Sequence, residues 1–227
     1  MSRILAVTGT DTGIGKTWVS CGLLRRFRAD GLRVAARKPV ETGCEESGGR
    51  LHAADAAALA EAAGGEEPAD RVCRVRFAEP LAPAIAAERA GRTIDPTAIV
   101  DECRARAREV DLLLVEGAGG LLVPFAGRET FADLAVALGA RLVVVVGARL
   151  GAINHAMLTV EAARSRGLEV AAVVVNRVFP VRDLAIDTLA ATLASAGACE
   201  RMAEAPHGEA PDAALATVAR EIAATRS

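Results

Sequence analysis

The sequence predicts an α/β fold, a mostly parallel central sheet covered by helices on both faces. Three observations carry that prediction. Short, continuous apolar runs alternate with stretches of helical periodicity, as buried parallel strands and their crossover helices do. Two of the runs, Ile4 to Val7 and Leu112 to Val115, end in glycine-rich loops of the kind that approach a ligand at the carboxyl edge of such a sheet. No linker-like tract divides the 227 residues, so residues 1–227 are expected to form one domain.

Arg3 to Val7 reads as the first strand, and Gly9 to Thr17 as a phosphate-binding loop opening into a helix from Lys16 to Ala29. The glycines let successive N–H groups turn inward on a polyphosphate, Lys16 reaches its terminal oxygens and Thr17 offers a hydroxyl to magnesium. The strict motif would have glycine at position 10; here Thr10 follows Gly9, a lengthened variant of the loop. Trp18 is expected to pack at the helix start. Arg33 to Arg37 is a second strand, which delivers Lys38 to a loop because Pro39 cannot continue a central ladder. Glu45 to Gly49 reads as a mobile polar loop, and Leu51 to Ala63 as a helix carrying His52 and Asp55, the latter a candidate metal carboxylate.

Arg71 to Phe77 reads as an edge strand, and Asp95 as the N-cap of a helix running to Arg108, with Pro96 at its first position. Asp111 to Val115 is a buried strand tipped by Glu116, and Gly117, Ala118, Gly119 and Gly120 let the backbone come close to phosphates. Leu142 to Val146 is a further buried strand, and Asn154 reads as the N-cap of a helix from Ala156 to Gly167 whose positive end could take an anion. His155 reads as a capping or packing residue. Glu169 to Val175 forms a strand ending at Asn176 and Arg177, and Asn176 has the paired donor and acceptor that read a base edge. Leu184 to Ala196 and Ala213 to Thr225 are expected helices, with Arg201 to Pro211 a loop between them.

Composition narrows the function classes. The hydrophobic share is 52% and mean hydropathy +0.27, but no apolar run is long enough to span a bilayer. With no basic and apolar leader at the start, a cytoplasmic location is expected. A net charge of −2, a pI near 6.0 and 3% aromatics give no basic field or stacking platform for nucleic acid. The five cysteines are scattered and suggest neither disulfides nor zinc. Of 27 basic residues all are Arg except Lys16 and Lys38. A chain that uses Arg for ordinary charge has kept a compact ammonium at two places, which makes Lys38 a second candidate for chemistry.

The stretches 9–17, 37–43, 115–120 and 150–159, in this order and spacing, resemble the dethiobiotin synthetase family. The resemblance runs over most of the chain and is weakest in the C-terminal segment. It implies a P-loop NTPase type of fold and an ATP- and Mg2+-dependent ring closure of 7,8-diaminopelargonate with CO2, by a homodimer. On that resemblance Gly13, Ile14, Gly15, Lys16, Thr17, Trp18, Gly117, Ala118 and Gly119 would hold ATP. Thr17, Asp55 and Glu116 would hold magnesium, and Lys38 would act with Lys16 in catalysis. Asn176, Arg177, Ala205, Pro206 and His207 would line the base. Thr42 would touch substrate, and Gly151, Ala152, Ile153 and Asn154 would complete the substrate site from the neighbouring subunit. The chain departs from the family where Thr42 replaces a serine, where His207 follows Pro206 in place of an aromatic, and in having no tyrosine.

A partitioning-type nucleotide-switch ATPase is the alternative. Such switches carry an extra lysine early in the phosphate loop, where this chain has Thr10, Asp11 and Thr12, and a basic amphipathic tail that 213–227 does not supply. An amide-forming synthetase of cobalamin assembly would need a glutaminase domain for which the chain has no room.

Overall fold

Six strands pair in parallel in the order Met202–Ala205, Val170–Asn176, Arg141–Gly147, Arg3–Gly9, Leu112–Gly120 and Val34–Arg37. This computed structural model describes residues 3–180 and 183–225. Alternate residues of each strand point to opposite faces, so both faces need cover. Leu5, Val7 and Val145 pack with Leu23, Leu24 and Phe27 of helix Lys16–Ala29 and with Val218 and Ile222 of helix Ala216–Ala224. Ala6, Leu113 and Val144 face the other way, against helices Pro96–Ala107, Phe131–Leu138 and Ala152–Arg164. From Arg3–Gly9 the chain runs first toward one edge of the sheet and later, through Arg141–Gly147, to the other side of the same strand. That change of direction opens the crevice beyond Gly9 where such sheets bind ligands.

Several local expectations change. The segment 45–52 is a hairpin, Glu45–Ser47 paired antiparallel with Arg50–His52, and not a mobile loop running into a helix. Gly48 and Gly49 both have positive φ, 60° and 73°, the geometry of a two-residue hairpin turn. The helix with Asp55 therefore begins only at Ala54 and ends at Ala62. The expected edge strand 71–77 divides into helix Ala69–Val72 and strand Val75–Phe77, which pairs in parallel with Val40–Thr42. Met202–Ala205 is a strand where a loop was expected, because its register partner Val173–Asn176 supplies the ladder that its own composition does not announce. Thr188 divides the helix expected over 184–196 into Leu184–Asp187 and Leu189–Ser195.

The helix after Arg141–Gly147 starts at Ala152, so Asn154 lies in its first turn and is not its cap; Gly151, at φ 87°, takes the cap position. Asp95 caps its helix as expected, accepting from the Ala98 N–H at 3.1 Å. Trp18 is 46% exposed and is not a packing residue. All five cysteines are free. Among the described residues no helix is long and apolar enough to cross a membrane.

Candidate active site

Strand Arg3–Gly9 ends in a loop whose turns and close approaches depend on glycine. A Cβ at Gly9 would meet Ile14 Cδ1 at 2.8 Å and the Asp11 carbonyl at 3.0 Å. Gly13 and Gly15 sit at φ 72° and 81°, where side chains are strained, and a Cβ at Gly15 would lie 2.2 Å from Asn176 Nδ2. Helix Lys16–Ala29 begins directly after Gly15 with no side-chain cap, leaving its first N–H groups to an anion. Lys16 folds back over the loop and donates to the Asp11 carbonyl at 3.0 Å. Burial, and then the charge of Lys38, lowers its pKa to about 8.

The opposite bank is a cluster of charges. Strand Leu112–Gly120 pairs Glu116 with Val7 and buries its carboxylate completely. Thr17 Oγ1 donates to Glu116 Oε1 at 2.7 Å and Ser20 Oγ to Oε2 at 2.5 Å. Lys38, 3% exposed, donates to Glu116 Oε1 at 2.5 Å and to Asp55 Oδ2 at 2.6 Å. Burial alone would depress the Lys38 pKa, but the two carboxylates outweigh it and raise the pKa above the usual lysine value. The same contact holds Asp55 below the ordinary carboxylate range despite its burial. Lys16, Thr17, Lys38, Thr42, Asp55 and Gly119 line one cleft of about 350 Å3. A second cavity, about 270 Å3, shares Thr42 and Gly119 and continues to Pro80 and Val123.

The structure thus gathers Lys16, Thr17, Lys38, Thr42, Asp55, Glu116, Ala118 and Gly119, and does not gather every candidate. Gly117 is a glycine for packing, since its Cβ would strike the Phe131 ring at 2.7 Å. Asn176, 4% exposed, donates from Nδ2 to the Ile14 carbonyl at 2.8 Å and so ties the loop to the sheet edge. Ala205 pairs with Asn176, and its carbonyl accepts from the Arg177 N–H at 3.0 Å. The Arg177 guanidinium is engaged by Glu204 and Asp187, and the His207 ring nitrogen Nδ1 lies 2.9 Å from the Val178 carbonyl. Pro206 follows directly on strand Met202–Ala205. Gly151, Ile153 and Asn154 are exposed and Ala152 is buried; none lines the cleft.

Three participants went unnoticed in the sequence. Ser20 lies one helical turn after Thr17, a spacing that could have revealed it. Arg149 binds Asp11 at 2.6 Å, and Glu41 accepts from the Asp55 and Ala56 N–H groups. Neither contact leaves a local signal, because its partners are distant in the chain.

A glycine loop feeding an uncapped helix, faced by a buried carboxylate on the neighbouring strand, defines the phosphate-loop class of nucleoside triphosphatases. Solved structures agree on the fold alone. A ParA family ATPase from Chlorobium tepidum TLS matches 98% of this chain and 96% of its own at a TM-score of 0.53 and 12% identity. MinD in the MinC:MinD cell division protein complex of Aquifex aeolicus matches 100% and 98% at a TM-score of 0.54 and 14% identity. The family model described as an AAA domain matches residues 3–212. Sequence relatives are more specific. The ATP-dependent dethiobiotin synthetase BioD of Anaeromyxobacter dehalogenans (strain 2CP-C) is 48% identical over 192 residues, 85% of this chain and 84% of its own. The enzyme of the same name from Anaeromyxobacter sp. (strain K) is 50% identical over 181 residues, 80% and 79%. The chain belongs to the ATP-dependent dethiobiotin synthetase family.

Proposed function

We propose that this chain closes the ureido ring of dethiobiotin from 7,8-diaminopelargonate, CO2 and ATP, with release of ADP and phosphate. The observation that carries the reading is the Lys38 ammonium, buried against Asp55 and Glu116 across the cleft from Lys16 and the open helix start. One substrate amine adds to CO2 and loses a proton, giving a carbamate. A carbamate oxygen attacks the γ-phosphorus as its bond to the β-phosphate oxygen breaks. The second amine then attacks the carbonyl carbon, closing the ring and expelling phosphate. Carbamate and γ-phosphate are both anions, and bringing them together in a poorly hydrated cleft costs several kcal/mol unless cations flank them. Lys16 and Lys38 are those cations.

Thr17, Asp55 and Glu116 are hard oxygen donors, two of them carboxylates held within 2.6 Å of one ammonium, and this donor set suits magnesium. Among the described residues no group of three or more acidic, His or Cys side chains forms a closed metal cage, so the remaining ligands would be phosphate oxygens and water. Bound there, the ion would neutralise β- and γ-phosphate charge. Thr42 borders both cavities and would stand between the reacting amines and the aliphatic tail. Asn176 keeps its carbonyl oxygen for the exocyclic amine of the base, beside Ala205, Pro206 and His207.

The carboxylate end of the diamine is received by Gly151 to Asn154 of a second copy in a homodimer. Leu150 at 83% exposure and the exposed Ile153 beside that helix start support an unsatisfied apolar contact there. Mixing a Lys38→Ala chain with one altered at Asn154 should restore activity; a fully active monomer in sedimentation contradicts the shared site. The reaction itself is tested by ADP release, which must need both the diamine and bicarbonate. ATP turnover indifferent to the diamine and stimulated by DNA or lipid vesicles would instead favour the nucleotide switch.

A further inference from the structure

We infer that Glu41 is a positioning residue for Asp55, capping the Asp55 helix from a separate strand so that its carboxylate meets Lys38. The inference rests on the reading of Asp55 as a metal-holding carboxylate. Helix Ala54–Ala62 has Ala53 at its N-cap, a residue with no side-chain acceptor, and makes no side-chain cap bond of its own. Two of its first N–H groups, those of Asp55 and Ala56, instead donate to the two oxygens of Glu41 at 3.0 Å each. Elsewhere Asp95 and Asp183 cap their own helices, accepting from Ala98 and Ile186.

Glu41 is 6% exposed, and a carboxylate that deep is retained when charge-assisted bonds and the positive helix end compensate its lost hydration. Burial raises its pKa, and the two N–H bonds oppose that rise. Strand Val40–Thr42 follows Lys38 and Pro39 directly, so one short segment grips Asp55 twice. Lys38 holds the side chain at 2.6 Å and Glu41 holds the backbone, while Thr42 of the same segment lines the cleft.

Amide exchange of the metal-free protein provides the first readout. Glu41→Ala should speed exchange at Asp55 and Ala56 at least tenfold and leave Ile186, capped by Asp183, unchanged. The second readout is fluorescence of Trp18, the chain's one tryptophan, which stands two residues beyond Lys16. In Glu41→Ala the Mg2+ concentration giving half-saturation with ATP should rise about tenfold, with ATP affinity in EDTA within twofold of the parent. Glu41→Gln keeps one acceptor and should fall between. Adding Ala53→Ser to Glu41→Ala restores a local cap and should bring half-saturation back to within threefold. Unchanged exchange at Asp55 and Ala56 overturns the inference, as does a lower Tm with unaltered Mg2+ dependence. Asp55→Asn separates the two readings: half-saturation raised by Asp55→Asn but not by Glu41→Ala overturns the inference alone, and raised by neither overturns the metal role of Asp55.

Discussion

On the phosphate-loop bank of the cleft Lys16 makes no ion pair among the described residues and leans on a backbone carbonyl; on the facing bank Lys38, buried more deeply, is held by two carboxylates. The two ammonium groups differ in what the rest of the chain supplies them. Lys16 carries a charge that folding has stripped of water with no carboxylate in contact, Glu116, Asp55 and Asp11 acting on it only from a distance, which suits the loop to an anion. Lys38 has its counter-charges built in, which keeps it protonated; on the proposed reading it would be shared between these carboxylates and an incoming phosphate. One bank therefore recruits, and the other holds geometry.

Breaking the second bank has the largest expected effect. Glu116→Ala removes the deepest partner of Lys38 and leaves the Thr17 and Ser20 hydroxyls without their acceptor. Leaving the buried ammonium with only the part-exposed Asp55 should cost about 3–5 kcal/mol in chemical denaturation; a loss under about 1 kcal/mol would show the cluster contributes little to folding. Lys38→Arg is subtler, since it keeps the charge and matches the residue this chain uses at nearly every other basic position. A planar fork cannot follow oxygens as a three-donor ammonium does, and kcat should fall about 100-fold, about 3 kcal/mol of transition-state stabilisation. ATP affinity should be nearly unchanged. Activity within about threefold of the parent would make Lys38 a bystander.

The smallest effect sharpens the first bank. Lys16 has a folded pKa of about 8 against 10.5 for a free lysine, so a polyphosphate binding the ammonium must re-protonate it above that pH. ATP affinity should be flat up to about pH 8 and weaken several-fold by about pH 9, as calorimetry in matched buffers can follow. A flat profile to about pH 10 would mean that Lys16 is not desolvated as described.

Legibility in the sequence followed how local each signal was. The helix Lys16–Ala29 and the strands around Val7 and Val144 announce themselves through continuous apolar runs and flanking glycines, and their bounds came out within about two residues; the strand around Val115 does too, but it runs on through its glycines to Gly120 instead of ending at Glu116. Met202–Ala205 did not, because Met-Ala-Glu-Ala has no strand propensity of its own and becomes a strand only by pairing with Val173–Asn176. The hairpin at Gly48 and Gly49 was readable from two adjacent glycines between polar residues, and taking them as a mobile loop overlooked their turn chemistry. In the site, Lys16, Lys38 and Glu116 could be singled out by type and position. Glu41 and Arg149 could not, since their contacts join residues 14 and 138 positions away.

The contrast between the banks can be read directly, because the chain contains only two lysines. With 13C-labelled lysine, the Cε resonances of the nucleotide-free protein form a two-signal spectrum, assignable by Lys38→Arg, and their titration reports each ammonium separately. The expected result is one signal, Lys16, titrating near pH 8 while the other stays protonated beyond the ordinary lysine value of 10.5. Two signals titrating together near 10.5, or Lys38 losing its proton first, would contradict the division of the cleft into a bank that awaits an anion and a bank already neutralised.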